Sequence, residues 1–332
     1  MRTPACASKR LATHARSHPT PSVRRAGSAI EPGFYRLWTD RVSATTVPSD
    51  GVQEVGLAVS DVGAVAESAE AESLFTLASG VPDADREKFG IRATRLGGGV
   101  VVSTLQDPSG FWSKIIGLGV TEPVTSEVID AAVAFLVAHG STRATFQIAP
   151  DRLPSDWDAI ADRHGIRPRS SWLKLVCPVT DFRPRETSLD VRPITAEDAD
   201  RAAEVIAVGF GMDPGLVASL YGTAIRSEAF RGFGVWDGES IVAAAASRHA
   251  VSAASLYGAA TLPEYRGRGA QSALVAARAA AAREEGYELL VTETWLPEIE
   301  GTNSSLNNMV RAGFRSLYVR ENWLWTTDPG RV

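Results

Sequence analysis

The sequence predicts an α/β (α+β) protein made of two tandem copies of one fold, and three observations lead there. Strand-like and helix-like segments alternate along the chain, their spacing repeats between the two halves, and a glycine-arginine turn joins a β-rich run to a long alanine-rich helix. A chain of 332 residues is long enough for two domains, and 44% hydrophobic with 22% charged residues is ordinary for a globular protein.

The first 30 residues hold six cations, Arg2, Lys9, Arg10, Arg16, Arg24 and Arg25, and no acid. Prolines at 4, 19 and 21 interrupt any helix there, so residues 1–30 read as a disordered basic tail, with an organellar leader as the alternative. Removing those six charges from the net −5 leaves −11 on the rest of the chain. An acidic body argues against nucleic acid as partner and favours a cationic one, such as a protonated amine. The absence of a run of about 18 apolar residues gives no membrane span to expect. Cys6 and Cys177 lie far apart, which fits a reducing, cytoplasmic setting, and the five histidines show no metal spacing, so no metal is expected.

Residues 31–182 form the first copy. Leu96-Gly97-Gly98-Gly99-Val100 reads as a hairpin turn, and Lys114 to Val120 as a strand. Thr125 caps a helix from Ser126 to His139, with Val128, Ile129, Ala132, Val133, Leu136 and Val137 as its apolar face and Gly140 as its stop. Thr142 to Ala149 is strand-like, Ser155 to His164 helical with Gly165 after it, and Trp172 to Cys177 the last strand. A polar run from Asp181 to Ser188 links the copies.

Residues 183–332 form the second copy. Leu189 to Ile194 alternates like a strand, and Thr195 suits the N-cap of a helix from Ala196 to about Val208. Phe233 to Trp236 and Ile241 to Ala246 flank Asp237-Gly238, the pattern of a type I′ hairpin, and Ser255 to Leu262 makes the next strand. Then comes Leu262-Pro263-Glu264-Tyr265-Arg266-Gly267-Arg268-Gly269-Ala270-Gln271. Gly267 and Gly269 allow a tight turn, the helix from Ala270 to about Glu285 aims unpaired N–H groups into it, and Arg266 and Arg268 add positive charge: the makings of a phosphate cradle. A strand over Glu288 to Trp295 and a short helix over Asn303 to Ala312, ended by Gly313-Phe314, complete the copy. The spans from 125 to Gly140 and from 270 to Gly286 agree to within one residue, and the intervals from those glycines to Gly165 and Gly313 to within two.

The Arg-x-x-Gly turn after Pro-Glu-Tyr, followed by helix, strand, an Asn/Ser-rich helix and Ala-Gly-Phe, resembles the GNAT superfamily of acyl-CoA-dependent N-acyltransferases over about Leu189 to Trp325. The resemblance implies a mixed, mostly antiparallel central sheet flanked by helices in each copy. It also implies an acyl group moved from acetyl-CoA, or another acyl-CoA, to a small-molecule or peptide amine. The pyrophosphate would fall to Arg266, Gly267, Arg268, Gly269, Ala270 and Gln271. The backbone of Ala259, Ala260 and Thr261 would meet the pantetheine arm, and Asn303, Ser305 and Asn308 would line the coenzyme. Glu293, on the strand where that family opens its reaction cleft, is the candidate base, with His249 and Tyr257 as weaker ones. Met309 stands where many members carry the tyrosine that protonates the leaving thiolate. Glu122 and Pro123 replace the cradle in the first copy, which is therefore expected to be degenerate. Neither cysteine lies in the site-bearing copy, so direct attack by the amine is expected rather than an acyl-enzyme. Two other readings fit parts of the pattern: a non-catalytic acyl-CoA-binding sensor, and a nicotinamide-dependent Rossmann enzyme, which lacks its third glycine because Ser272 occupies that place.

Overall fold

The computed structural model describes residues 59–107 and 109–328, so the basic tail and the first part of the first copy lie outside the described residues. The described residues belong to one compact unit. Its centre is an 11-stranded sheet ordered β1-β2-β3-β4-β11-β5-β10-β9-β8-β7-β6. In the first half these strands are β1 (Ile91–Leu96), β2 (Gly99–Thr104), β3 (Lys114–Ile116), β4 (Arg143–Gln147) and β5 (Arg167–Pro178). In the second they are β6 (Asp190–Pro193), β7 (Phe230–Asp237), β8 (Ser240–Ala250), β9 (Ala253–Thr261), β10 (Leu289–Trp295) and β11 (Arg315–Thr326).

The repeat is visible in the pairing. β3 runs parallel to β4 and β9 parallel to β10, while every other neighbouring pair is antiparallel. Each half then lends its last strand to the other: β11 pairs with β4, β5 pairs with β10, and β5 and β11 lie side by side. The two expected sheets are thus fused into one. Trp323 and Trp325 of β11 pack into the core of the first half, where Trp323 meets Trp157 edge-on at 5.3 Å. A mostly antiparallel sheet also disposes of the doubly wound nicotinamide fold, whose strands are parallel.

Helices cover both faces. In β2, Val101 faces the core under α3 (Ser126–Ala138) and α4 (Trp157–His164), whereas Val100 and Val102 face α1 (Val59–Gly80). In β8, Ala243 and Ala245 face α8 (Ala270–Glu284), and Ala244 faces α5 (Ala199–Phe210). Between α5 and β7 lie two short helices, α6 (Pro214–Val217) and α7 (Thr223–Arg226), joined by a wider π-type turn. α2 (Asp83–Phe89) precedes β1, and α9 (Ser304–Arg311) precedes β11.

The local expectations hold with three differences. The helix expected from Ala196 begins at Ala199, because residues 195–198 form a turn in which the Thr195 hydroxyl donates to Asp198 instead of capping. The β7–β8 turn is Gly238-Glu239, and only Gly238 has positive φ, the type II′ pattern and not I′. β3 stops at Ile116, four residues early, because Gly117 and Gly119 adopt φ of +77° and +82°. The first-half turn at Gly97-Gly98 does form the expected hairpin, with both residues at positive φ.

Candidate functional site

β9 and β10 are paired only over Ala253–Ser255 and Leu289–Val291, although the strands continue to Thr261 and Trp295. They part where Gly258 is inserted as an extra residue opposite the Ala245–Ala246 step of β8. Its φ of +42° and the 2.0 Å between an added Cβ and the Tyr221 hydroxyl oxygen leave no residue but glycine there. The splay exposes main-chain groups of β9 at the positions Ala259, Ala260 and Thr261, which keep partners on β8 alone. α5 is pressed against this strand, since a Cβ on Gly209 would lie 2.4 Å from that of Ala260.

The cradle follows. A single 3₁₀ turn, Pro263–Tyr265, leads through Arg266 to Gly267 and Gly269, at φ of +77° and +89°. Gly269 is the N-cap of α8, and no side chain caps that helix. Added Cβ atoms at Gly267 and Gly269 would meet nothing within 4 Å, so backbone conformation, not crowding, demands glycine, and the helix end faces open space. Arg266 braces the turn through Thr261 O at 3.2 Å and Gly209 O at 3.1 Å. Arg268 donates to Glu264 O and lies 4.9 Å from the Tyr265 ring centre. Arg185 and Thr187, read in the sequence as mere linker, line a pocket of about 270 Å³ with Leu189, Gly267, Gly269 and Ser272. Nothing in their composition marks that role; the return of the chain beside α8 does.

The residues expected on the second helix divide into two groups. Ser305 and Asn308 are joined by Gln271, which donates to the Ser305 hydroxyl at 2.6 Å and accepts from the Asn308 amide at 2.7 Å, so the first turn of α8 is tied to α9. Asn303 is buried: its Oδ1 caps α9 at Leu306 N, and its amide donates to the Thr294 hydroxyl and Trp295 O. It fixes the end of β10 to α9. Met309 is buried in the same helix. Ala270 starts α8 and packs on β7 and β8.

Glu293 points to the face covered by α1, into a buried cluster of charges. Its carboxylate pairs with Arg320 and lies 3.8 Å from Lys174, while Glu67 and Glu70 of α1 bind the same two cations. Burial raises the pKa of Glu293, but the fields of Arg320, Lys174 and Lys114 outweigh it and hold the carboxyl below its ordinary 4.5. Glu293 is thus a permanent anion at neutral pH and a weaker base than a free glutamate. His249 is occupied by Glu285 at 2.9 Å and Ser247 at 3.1 Å, at the far end of α8 from the cradle. Tyr257 stacks on Tyr221 at 5.4 Å beside the bulge, and burial pushes both phenols up, so they stay protonated. Among the described residues no group of acids, histidines and cysteines could hold a metal ion, and no helix is long and apolar enough to cross a membrane.

These parts suit the diphosphate and pantetheine arm of a coenzyme A: an uncapped helix end over open glycines, cationic flanks, and strand edges left unpaired alongside. No protein-family model matches the sequence, and no curated protein sequence is similar to it. Solved structures are. A GCN5-related N-acetyltransferase from Kribbella flavida is similar over 83% of this chain and 97% of its own, at 17% identity and a TM-score of 0.54. A functionally unknown conserved protein from Staphylococcus epidermidis is similar over 70% and 92%, at 11% identity and a TM-score of 0.50. The chain has the fold of the GCN5-related N-acetyltransferases.

Proposed function

We propose that the protein is an acyl-CoA-dependent N-acyltransferase that moves an acetyl or short acyl group to an amine, with residues 183–332 as the coenzyme-binding copy and 31–182 as a degenerate one. The observation that supports it most is the uncapped, open N-terminus of α8 beside the splay of β9 and β10. An acyl-CoA bound there supplies a thioester carbonyl for the amine to attack. The N–H groups of Gly269, Ala270 and Gln271 bind phosphate oxygens, and Arg266 and Arg268 hold the turn in shape and add positive charge. Main-chain N–H groups of the freed β9 edge polarise the carbonyl. The amine nitrogen bonds to that carbon, the carbon–sulfur bond breaks, and one proton passes from nitrogen to sulfur. With Met309 in place of an acid, solvent carries that proton to sulfur. Glu293 takes that proton from the amine through water and hands it on to the solvent, and its lowered basicity leaves positioning as the larger share of catalysis.

The test is thiol release from acetyl-CoA against an amine panel, beside acetyl-CoA binding by calorimetry. Glu293→Gln is expected to lower the rate about 10²-fold, the lower end for a general base, with coenzyme affinity near its original value. Binding without turnover on any amine would favour the sensor reading, for which the burial of Met309 at the acid's position speaks. Trapping of an acylated side chain would reject direct attack.

A further inference from the structure

A second pocket, of about 160 Å³, opens on the face of the sheet that carries Glu293, over the strands where the halves exchange. Phe111 and Trp172 form its walls, Lys114 and Gln147 its floor, and Arg143 and Arg169 its rim. Its charge is unbalanced. Among the described residues, none of the side chains of Lys114, Arg143 and Arg169 makes a hydrogen bond or ion pair. Lys114 is only 8% exposed, and its ammonium lies 3.8 Å from the centre of the Phe111 ring and 5.7 Å from that of Trp172. A buried ammonium held by two aromatic faces, with two arginines in the same lining and no carboxylate in contact, leaves the pocket with positive charge to spare. Beside it Gln147 donates to Asn322 at 2.6 Å and Asn322 to Ser170 at 3.0 Å, yet Gln147 Oε1 is buried with no donor. The floor is built and polar, and the orphaned Gln147 oxygen calls for a donor such as water, not for an anion.

The pocket lies next to the reaction cleft in the sheet. Trp172 is the cross-strand neighbour of Trp295, at the free end of β10, and the charge of Glu293 acts on Lys114. Phe111 leads through Trp112 and Tyr221 to Tyr257 at the bulge, in ring contacts of 5.1, 5.9 and 5.4 Å. Arg169, Arg143 and Lys114 stand on β5, β4 and β3, and β11, which lies among these strands under the pocket, is two strand spacings from β10, about 10 Å.

We infer that this pocket binds a carboxylate of the acceptor, so that the substrates are amines carrying a carboxylate about 10 Å from the nitrogen that is acylated. This rests on the acyltransferase reading for the word acceptor, but not for the site. Arg143 and Arg169 supply the fork donors that match a carboxylate, Lys114 a buried ammonium whose pKa burial brings down to about 8 and that is charged at neutral pH, and the aromatic walls the apolar flanks for a methylene chain. The degenerate half thereby selects the acceptor while the other half holds the donor.

The experiment uses the full chain with acetyl-CoA and a ladder of ω-amino acids from four to twelve carbons, each beside its carboxamide and its phosphonate. Expected is a kcat/KM optimum near 8-aminooctanoate, at least about tenfold above its carboxamide and carried by KM, the size of one charge-assisted bond. The double variant Arg143→Ala, Arg169→Ala should erase that preference and leave acetyl-CoA affinity unchanged. Equal rates on acid and amide, or a preference that survives in the double variant, would overturn the inference, and a higher rate on the phosphonate would replace carboxylate by phosphate as the group recognised. Should no amine be acylated, titration of N-acetyl-8-aminooctanoate without coenzyme still reads the pocket: binding that the double variant loses supports the site, and no binding to the parent protein rejects it.

Discussion

The two helix ends that the repeat places in equivalent positions differ in who satisfies them. At α3 the Thr125 hydroxyl accepts from Val128 N at 3.4 Å, and the β1–β2 turn is packed over the end. A Cβ on Gly98 would fall 2.1 Å from Thr121 Oγ1, and one on Gly97 would fall 2.5 Å from Val128 Cγ1. At α8 no side chain caps the end and nothing covers Gly267 or Gly269. One fold thus gives a closed end and an open one. An unpaired helix terminus is costly to leave buried and useful to leave accessible, so the open end marks where a ligand is expected. Glu122, ahead of α3, adds a charge that a pyrophosphate would meet unfavourably.

The strongest way to break the comparison is to unpick the exchange that joins the halves. Trp325 belongs by sequence to the copy with the open end, yet it is buried in the core beneath α3 and α4. Trp325→Ala is expected to cost about 3–5 kcal/mol of stability, as for other large core truncations, read as a shift in the denaturant midpoint. Coenzyme affinity of the protein that remains folded should change little. A cost under about 1 kcal/mol would mean that β11 contributes little to the first half.

Next in size is the cradle itself. At φ of +89° a β-branched residue is strained, so Gly269→Val should weaken acetyl-CoA binding about 100-fold, or about 2.7 kcal/mol, by calorimetry. Gly98→Val at the closed end meets Thr121 and should lower stability while leaving that affinity intact. If both variants bound coenzyme equally well, the open end would not be the site.

How much of this was legible in the sequence differs between these regions for physical reasons. The cradle was, because glycines at positive φ before an alanine-rich helix leave a local signature, and so were the Gly97-Gly98 turn and the Thr125 cap. α1 was not. Its buried stripe, Ala66, Ala69, Ala71, Leu74, Leu77 and Ala78, is mostly alanine and alternates with Glu67 and Glu70, so it shows little contrast until the partners Lys174 and Arg320 are seen. The exchange of β5 and β11 was equally hidden, since a strand's pattern states which face is buried and not which neighbour it pairs with. Glu293 illustrates the same limit. Its place on the strand could be read, but its two cationic neighbours come from β5 and β11.

That cluster gives a pH prediction at the seam between the halves. Glu67 and Glu293 are held below 4.5 by Arg320 and Lys174 despite burial, so in the folded protein they bind protons less readily than in the unfolded chain. The stability they contribute is therefore complete above pH 4.5 and is lost as pH falls through their folded values. Denaturant midpoints should be insensitive to these groups between about pH 5 and 7 and fall below that. Glu67→Gln should lower stability at pH 6 and flatten the acid slope. An acid slope unchanged in that variant would show that other carboxylates govern it.

The smallest effect bears most directly on the two helix ends. Removing the cap by Thr125→Ala should cost about 1 kcal/mol, because the N–H of Val128 loses its acceptor while the packed hairpin limits replacement by water. That cost should be the same with and without acetyl-CoA, since the closed end has no part in binding it. At α8 the reverse holds: there is no cap to remove, and saturating coenzyme should itself supply the missing acceptors, raising stability by about 2.7 kcal/mol at 100 times its Kd. Gly269→Val should abolish most of that gain, and Thr125→Ala none of it. Melting curves of the parent and both variants, each with and without acetyl-CoA, separate the two ends; a coenzyme-dependent cost at Thr125 would show that the closed end is not closed.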